Sequence, residues 1–421
     1  MGNVRNMTPS GSPPTDTPAV TALPTLDLER LRADTPGTLS RIHLNNAGAS
    51  LMPRPVLEAV QAHLTLESEV GGYEAEDLRA DAIRRSYQAV EALIGAPAGT
   101  VAFVENATVA FSQALSAIPF REGDTILTTR NDYVSNHIMY LSLRDRFGIR
   151  IEVAPEHPAE TEVGGVDAAA MVEQVHRTRP RLVAMTHIPT SSGVIQEVAP
   201  VARACRDRGI PFLLDACQSV GQIPVDVGQI PCTFLAATSR KFLRGPRGCG
   251  FLYVDPGALE AGVAPLFPDL RGSDWIEEDL AQPAPDARRF ENWEFAWALV
   301  LGTGAAARYA LDLGVETLSA RSLALAAGLR DRLARVPGVR VMDRGRSLAA
   351  IVTVAVEGRS GAELVRELRK RGVNASAVDR HSAVMDFDDK GIESVLRLSP
   401  HYFNTEEELE RAVRVLASIL A

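Results

Sequence analysis

Between residues 101 and 254 the sequence repeats one pattern, in which a short apolar run is followed by a longer helical or irregular connection. The runs occupy 101–104, 125–128, 150–153, 182–186, 211–214, 233–236 and 251–254. Continuous apolar runs joined by helical crossovers are typical of parallel strands that are buried on both faces. The pattern therefore predicts an α/β fold with a seven-stranded, mostly parallel sheet. The last two runs are too close for a helix between them, so we expect one antiparallel strand there.

The segments on either side of this pattern differ from it and divide the chain. Residues 1–24 are rich in Thr, Pro, Ser and Gly with almost no bulky apolar side chains, which predicts a disordered tail. We expect residues 25–54 to form an N-terminal segment that packs on the small domain, and residues 55–313 to form the large domain. Residues 314–421 predict a small C-terminal α+β domain. Its strands are expected at 338–342, 349–356 and 394–399.

Composition and charge exclude several kinds of partner. A net charge of -9 gives no positive surface for a phosphate backbone, so we expect a small-molecule substrate and no nucleic acid. The longest apolar stretch, 295–307, is interrupted by glycines and too short to cross a bilayer, so no membrane partner is expected. The cysteines form no CxxC pair, which predicts neither a disulfide framework nor a metal site. These features predict a cytoplasmic protein.

A single lysine stands out in a polar segment that leads into tight turns. Lys241 follows Thr238-Ser239-Arg240 and precedes the glycine-rich residues 245–250. Such turns fix the chain direction, so the lysine should be held in place by its neighbours. Three arginines close in sequence should disfavour its ammonium form and free the amine as a nucleophile for a carbonyl: Arg240, Arg244 and Arg247. A solvated basic loop is the alternative interpretation.

Polar residues also follow other predicted strands, at the carboxyl ends where open α/β sheets bind ligands. Thr108 lies at the start of a predicted helix, where free N–H groups can bind a phosphate or where an ordinary helix cap can form. Tyr133 could stack on a planar ligand or anchor a loop. Asp215 comes directly after a buried strand and needs a cationic partner such as a protonated ring nitrogen. Gln218 could then hydrogen-bond an oxygen on the same ring.

These residues together resemble a known family. Asp215-x-x-Gln218 and Thr238-Ser239-Arg240-Lys241, with Ala107-Thr108 upstream and Arg397-x-Ser399 downstream, resemble the class V aminotransferases. This family of pyridoxal phosphate enzymes includes cysteine desulfurases and isopenicillin N epimerase. The resemblance extends from Leu44 onward and implies the PLP-dependent transferase fold type I. It also implies a homodimer with active sites at the subunit interface.

The resemblance assigns a role to each matching residue. The residues implied to bind the cofactor are Ala107, Thr108, Tyr133, Asp215, Gln218, Thr238, Arg240 and Lys241. The residues implied to bind the substrate are Asn46, Ala47, Thr190 and Arg397. Lys241 would carry the cofactor as a Schiff base and Asp215 would pair with its pyridinium nitrogen, which makes these two the catalytic residues. Tyr133 would stack on the ring where relatives have histidine. Arg397 would hold the substrate carboxylate through paired hydrogen bonds.

The choice among members of the family depends on a missing cysteine. Desulfurases need a mobile cysteine shortly before the C-terminal arginine to carry a persulfide. The matching stretch 379–383 has Ser382 instead, and the chain has no cysteine beyond residue 249. Residues 69–76, 239–248 and 396–401 resemble the C–S lyases of ergothioneine biosynthesis and of antibiotic pathways.

That narrower resemblance implies β-elimination from an S-substituted cysteine or its sulfoxide. The products would be a thiol or sulfenic product, pyruvate and ammonia, with Lys241 removing the Cα proton. Tyr73, His381 and His401 are candidates for the acid that protonates the leaving group, or are loop residues. Transamination, epimerisation and decarboxylation-coupled deamination begin in the same way and stay open, as does a binding protein that keeps the fold without catalysis.

The sequence also departs from the family near residue 290. The usual gly-thr segment, which contacts the partner's phosphate, is replaced by residues 289–294. Trp293 and Trp297 could shape a pocket for the S-substituent or pack at a dimer interface.

Overall fold

The computed structural model describes residues 26–158 and 163–421, so the predicted tail at 1–24 lies outside the described residues. The helices are α1 (Leu28–Ala33), α2 (Arg54–Val70), α3 (Gly72–Leu93), α4 (Ala107–Ser116), α5 (Val134–Phe147), α6 (Ala168–Thr178), α7 (Val198–Asp207), α8 (Pro256–Glu260), α9 (Trp297–Leu313), α10 (Val315–Leu333), α11 (Gly361–Lys370), α12 (Val384–Lys390) and α13 (Glu406–Leu420). The strands are β1 (Ile42–His43), β2 (Val101–Val104), β3 (Thr125–Thr128), β4 (Arg150–Val153), β5 (Leu182–Thr186), β6 (Phe212–Asp215), β7 (Phe234–Thr238), β8 (Gly250–Val254), β9 (Ser273–Glu277), β10 (Leu280–Pro283), β11 (Val339–Val341), β12 (Val352–Val356), β13 (Val373–Asn374), β14 (Ser376–Asp379) and β15 (Ser394–Leu398).

The central sheet has seven strands in the order β2-β8-β7-β6-β5-β3-β4. Strands β4, β3, β5, β6 and β7 run parallel, and β8 is antiparallel to both of its neighbours. The predicted α/β class, with a mostly parallel seven-stranded sheet and one antiparallel strand among the last two, is therefore confirmed. Because β2 and β7 both run opposite to β8, their carboxyl ends lie at the same edge of the sheet as those of β3, β5 and β6.

The strands read as continuous apolar runs because both faces of the sheet are covered. In β6, Leu213 packs in the hydrophobic cluster on one face with Phe111 and Tyr140, whereas Leu214 packs in the cluster on the other face. Successive side chains of a strand point to opposite faces, so each face needs an apolar residue at every second position. Strands β5, β6, β7 and β8 are buried along their whole lengths.

Two long helices pack closely on α9, and glycines make this possible. A Cβ atom at Gly304 would lie 2.2 Å from Ser86 Oγ of α3, and one at Gly302 would lie 2.5 Å from a methyl group of Val60 in α2. The glycines that interrupt the apolar stretch 295–307 therefore serve helix packing within the protein. Within the ranges described, none of the helices has the length and hydropathy that crossing a membrane requires.

The C-terminal part of the chain forms a second sheet and receives the N-terminal segment. Strands β11, β12, β15 and β14 make a four-stranded antiparallel sheet in that order. β1 pairs in parallel with β13, and Asn45 bridges to Ser399 just after β15. These contacts join residues near position 45 to the carboxyl end of β15.

The sequence did not predict the hairpin of β9 and β10, the two-residue strand β13 or strand β14. Strand β14 is four residues long with a mixed polar pattern, and the hairpin of β9 and β10 is exposed over almost its whole length. Neither has the continuous apolar run by which the buried strands were recognised.

Candidate active site

A cavity of about 560 Å³ opens at the carboxyl ends of the central strands. Most of the predicted site residues line it: Ala107, Thr108, Tyr133, Thr190, Asp215, Gln218, Thr238, Arg240 and Lys241. Residues that follow β2, β3, β5, β6 and β7 thus meet in one place. This is the position that the parallel topology dictates for a ligand site.

Lys241 is held by a tight turn after β7. The Ser239 hydroxyl donates to the carbonyl oxygens of Pro246 (2.5 Å) and Cys249 (2.8 Å), and the Gly245 N–H donates to Ser239 O at 2.8 Å. A Cβ at Gly245 would lie 2.6 Å from Ser239 Cβ, so the turn requires glycine at that position. The lysine is 9% exposed, and its Nζ lies 5.8 Å from the centroid of the Tyr133 ring.

Burial lowers the pKa of Lys241, and the charges of Arg240 and Arg397 lower it further. The carboxylate of Asp215 acts in the opposite direction. The sequence predicted a destabilised ammonium, but it attributed the effect to nearby arginines. Desolvation is the larger cause, and Arg244 does not face the lysine.

Asp215 is buried at the end of β6, and both of its carboxylate oxygens accept hydrogen bonds. Its Oδ1 accepts from the Cys217 N–H at 3.0 Å and its Oδ2 from Asn136 Nδ2 at 3.2 Å. Burial raises the pKa of Asp215, and the charge of Lys241 opposes this. Throughout the described ranges, no lysine, arginine or histidine makes an ion pair with it. A buried carboxyl group of this kind is suited to a cationic ligand atom.

Three of the residues predicted to bind the cofactor, Ala107, Thr108 and Thr238, meet at the start of α4. Asn106 caps this ten-residue helix by accepting a hydrogen bond from the Val109 N–H at 3.1 Å. A Cβ at Gly250 of β8 would lie 3.0 Å from Ala107 N and 2.6 Å from Ala237 O, so glycine lets the sheet approach the helix start. The approach brings Thr238 beside the first N–H groups of α4, which have no partners within the helix.

Hydrogen bonds connect Thr190 to other residues that were predicted to bind the cofactor or the substrate. Gln218 Nε2 donates to Thr190 Oγ1 and to Ala47 O, each at 3.1 Å. Arg397 Nη1 donates to Thr190 O at 3.3 Å and to Thr190 Oγ1. Arg397 is buried, and burial together with the charge of Arg240 lowers its pKa to about 10. No acidic side chain pairs with it in the described part of the chain, which leaves a buried cation available for an anion.

Asn46 differs from the other predicted substrate residues. Its Nδ2 donates to Ser399 O at 2.7 Å and its Oδ1 accepts from Ser50 Oγ at 2.6 Å. The side chain is fully buried and is not among those that line the cavity. The structure therefore directs this amide toward the carboxyl end of β15, and only the neighbouring Ala47 carbonyl reaches Gln218.

The residues present fit pyridoxal phosphate. The cavity offers an amine for the aldehyde, a helix N-terminus for the phosphate, an amide for the phenolic oxygen and a carboxyl group for the ring nitrogen. Two buried polar atoms of the described residues point to a missing partner, because Gln218 Oε1 and Arg397 Nε have no hydrogen bond.

The candidate leaving-group acids are not in the cavity. Tyr73 is 69% exposed near the start of α3, and His381 lies in an exposed turn after β14. His401 is fully buried, and its Nε2 lies 2.8 Å from the carbonyl oxygen of Phe242. None of the three lines the described cavity, so the interpretation of each as a loop or packing residue fits the structure better.

Sequence reasoning missed two polar residues behind Asp215. Asp132 and Asn136 are both buried, and Asn136 Nδ2 contacts both carboxylates. The signal was present for Asp132, since it follows a buried strand closely, as Asp215 does. The reach of Asn136 to Asp215 depends on the strand order and was not visible in the sequence.

The fold, the lysine in the cavity and the family match together define this chain as a pyridoxal-phosphate-dependent enzyme of fold type I. It belongs to the class-V aminotransferase family, which matches residues 42–412.

Relatives of known or inferred activity cover almost the whole chain. It is 25% identical to a probable cysteine desulfurase of Methanothermobacter thermautotrophicus, over 93% of this chain and 98% of the relative. It is 29% identical to a probable hercynylcysteine sulfoxide lyase of Mycobacterium tuberculosis, over 93% of each chain. Its fold matches the apo structure of a cysteine desulfurase from Thermococcus onnurineus with a TM-score of 0.85 at 23% identity, over 94% of this chain and 99% of that one.

Proposed function

We propose that the protein is a C–S lyase that catalyses β-elimination from an S-substituted cysteine or its sulfoxide. The products are a thiol or sulfenic product, pyruvate and ammonia, and a biosynthetic pathway is the expected setting. The similarity to a probable hercynylcysteine sulfoxide lyase supports this reaction class. The other relatives named above are desulfurases, so the distinction between the two activities depends on the site itself.

The observation that carries the proposal is the position of the cysteines. The chain has four, all of them buried and none beyond residue 249, and the stretch 379–383 carries Ser382. Cys217 lines the cavity, but burial and the adjacent Asp215 raise its pKa far above the ordinary value. Its thiol therefore stays protonated, whereas a sulfur carrier must be a thiolate on a segment that can move. This arrangement supports a lyase and disfavours a desulfurase.

Each step of the elimination can be assigned to a side chain that lines the cavity or, for Arg397, that contacts Thr190 at its edge. Arg397 and Thr190 would bind the substrate carboxylate, and Tyr133 would pack against the cofactor ring. Lys241 Nζ would take the Cα proton, and burial, which lowers its pKa, favours the amine form that a base needs. Asp215 would accept a hydrogen bond from the ring nitrogen and keep it protonated. The bound cofactor would supply the electron sink for the pair left at Cα.

The bond changes balance without a further reactant except water. The Cα–H and Cβ–S bonds break and a Cα–Cβ double bond forms, while the sulfur leaves and takes up a proton. Hydrolysis of the three-carbon enamine product consumes one water and gives pyruvate and ammonia.

We also propose that the chain acts as a homodimer with domains at 55–313 and 314–421. Large apolar side chains are exposed near the hairpin of β9 and β10: Leu266, Phe267, Leu270, Trp275, Ile276, Leu280 and Trp293. Trp275 is 78% exposed, and a cluster of this kind marks an interaction surface. Trp297 is instead buried against Phe295, with ring centroids 4.7 Å apart. Trp297 therefore supports packing within the subunit.

The test is an assay of pyruvate release from a panel of S-substituted cysteines and their sulfoxides. We expect pyruvate, ammonia and the thiol or sulfenic product in equal amounts. The Lys241→Ala variant is the control, and it should lose roughly 10³-fold or more in rate. Alanine and persulfide from free cysteine would identify a desulfurase instead. Amino-group transfer to a keto acid without pyruvate would identify a transaminase, and either result would overturn the proposal.

A further inference from the structure

The amide of Asn136 joins two buried carboxyl groups at the base of the cavity. Its Nδ2 donates to Asp215 Oδ2 at 3.2 Å and to Asp132 Oδ1 at 2.9 Å. An amide nitrogen carries two N–H donors, so both hydrogen bonds can form at once. Asn136 is 2% exposed, which leaves its side chain no alternative partner in solvent.

Asp132 is surrounded by donors from three different elements. Its Oδ2 accepts from the hydroxyls of Thr128 at the end of β3 and Tyr140 in α5, each at 2.8 Å. Its Oδ1 accepts from the Thr186 hydroxyl at 2.5 Å and from the Tyr133 N–H at 2.7 Å, in addition to Asn136. This donor set suits a carboxylate ion, which accepts hydrogen bonds and donates none.

The strand order places this second carboxylate directly behind the first. Thr186 of β5 is the register partner of Asp215 in β6, and β5 lies between β6 and β3. Thr186 therefore contacts Asp132 from the strand next to Asp215. The Tyr133 N–H fixes the same carboxylate, and the Tyr133 ring faces Lys241.

We propose that Asp132 and Asn136 are positioning residues for the cofactor, which hold and electrostatically reinforce the Asp215 carboxylate at the ring nitrogen. This rests on the cofactor lying at Asp215, as proposed above, and not on the identity of the reaction. Asn136 fixes the direction of Asp215 Oδ2, because the other oxygen is held by the Cys217 N–H. A negative charge at Asp132 raises the proton affinity of its neighbour, so Asp215 holds a protonated ring nitrogen more tightly.

The charge of Asp132 also acts on the carboxyl group of Asp215. Burial raises the pKa of Asp215 most, and the charge of Asp132 raises it further.

The test measures how tightly the cofactor binds and whether its ring nitrogen is protonated, rather than the rate of the reaction. Asp132→Asn keeps the shape and removes the charge, Asn136→Leu removes both bridging donors, and Thr128→Val removes one donor to Asp132. Apo-protein is titrated with pyridoxal phosphate to obtain Kd. The ring nitrogen is observed by NMR in holoenzyme loaded with ¹⁵N-labelled cofactor. The midpoint of thermal unfolding of each apo-protein shows whether the fold is intact.

We expect Kd to rise roughly tenfold in Asp132→Asn and Asn136→Leu, and roughly threefold in Thr128→Val. The ring nitrogen signal of Asp132→Asn should move toward the unprotonated position. Asn131→Ala is the matched control, since Asn131 is equally buried but bonds to Gln196 and not to Asp215. It should match the wild type in both measurements.

Wild-type Kd and an unchanged ring nitrogen signal in a folded Asp132→Asn holoenzyme would overturn the inference. If that variant does not fold, Asn136→Leu and Thr128→Val decide in the same way. A wild type that binds the cofactor but releases no pyruvate would remove only the proposed reaction. A wild type that binds no cofactor would remove both proposals.

Discussion

The cofactor end of the candidate site is built from neighbouring strands of one sheet, whereas the amino-acid end joins three segments that are far apart in the sequence. Asp215 is the last residue of β6 and Lys241 follows β7, which is the adjacent strand. At the other end Thr190, Ala47 and Arg397 come from the loop after β5, the N-terminal segment and β15. The cofactor end therefore depends on the central sheet and on the turns and helix that follow its strands, while the amino-acid end also needs the C-terminal sheet to be docked.

The largest effect that this comparison predicts is at Arg397. Arg397→Leu should lower kcat/KM roughly 10³-fold, about 4 kcal/mol, because it removes a buried cation that would pair with the substrate carboxylate. The Kd of pyridoxal phosphate should stay within about twofold of wild type. Arg397 makes its hydrogen bonds to the loop after β5 and not to the residues of the cofactor end. Steady-state kinetics and cofactor titration measure the two quantities separately.

Arg397→Lys tests whether charge alone is sufficient at that position. Lysine keeps a positive charge but cannot offer two parallel donors, so we expect a loss of roughly 10- to 100-fold in kcat/KM. If either variant raises the Kd of the cofactor by as large a factor as it lowers kcat/KM, the two ends are not independent and the comparison fails.

The second prediction concerns Arg244, which connects the two ends. It is 1% exposed, and it donates to Leu51 O (2.8 Å), to the Tyr402 hydroxyl and to Thr35 Oγ1 (each 2.6 Å). Its guanidinium also lies 4.5 Å from the Phe403 ring centroid. It therefore ties the loop of Lys241 to the N-terminal segment and to the residues after β15.

Arg244→Met should lower the free energy of unfolding by about 3 kcal/mol, since it leaves buried acceptors without partners. The substrate KM should rise more than the cofactor Kd, because the segments that Arg244 ties belong to the amino-acid end. Arg335→Met, at an exposed position, should leave denaturant unfolding within about 0.5 kcal/mol of wild type. An Arg244→Met protein with wild-type stability would show that the hydrogen bonds of Arg244 do not stabilise the fold.

The same contrast explains how far the sequence could predict the site. Asp215 and Lys241 were identified because each follows an apolar run, and parallel strands bring such positions together. Arg244 was read only as a charge near Lys241, although its backbone takes a left-handed conformation (φ 64°) that turns it into the protein. Asn46 was expected in the cavity, but its amide bonds to Ser399, more than 350 residues away. Contacts between distant segments leave no periodic signal in a single sequence.

Glu291, which contacts neither end of the site, supplies the smallest effect. Glu291 lies in the segment 289–294 that replaces the gly-thr segment of relatives, and it is 1% exposed. It accepts from the Tyr87 hydroxyl at 2.8 Å and the Phe103 N–H at 2.9 Å, with Arg271 Nε at 3.3 Å. Burial raises the pKa of Glu291 to about 7, against an ordinary value of 4.5.

Because the folded state holds this proton more tightly than the unfolded state, Glu291 favours folding below pH 4.5, and the contribution is lost as the pH rises through 7. Between pH 5 and pH 7 the wild type should lose about 2 kcal/mol from this group. Glu291→Gln cannot titrate, so its unfolding free energy should lack that decline, and urea unfolding at several pH values measures the difference. The cofactor Kd and the substrate KM should not change, since Glu291 contacts the end of β2 and not the cavity. A parallel pH dependence in the two proteins would mean that Glu291 ionises normally, and a change in cofactor affinity would mean that this segment belongs to the cofactor end after all.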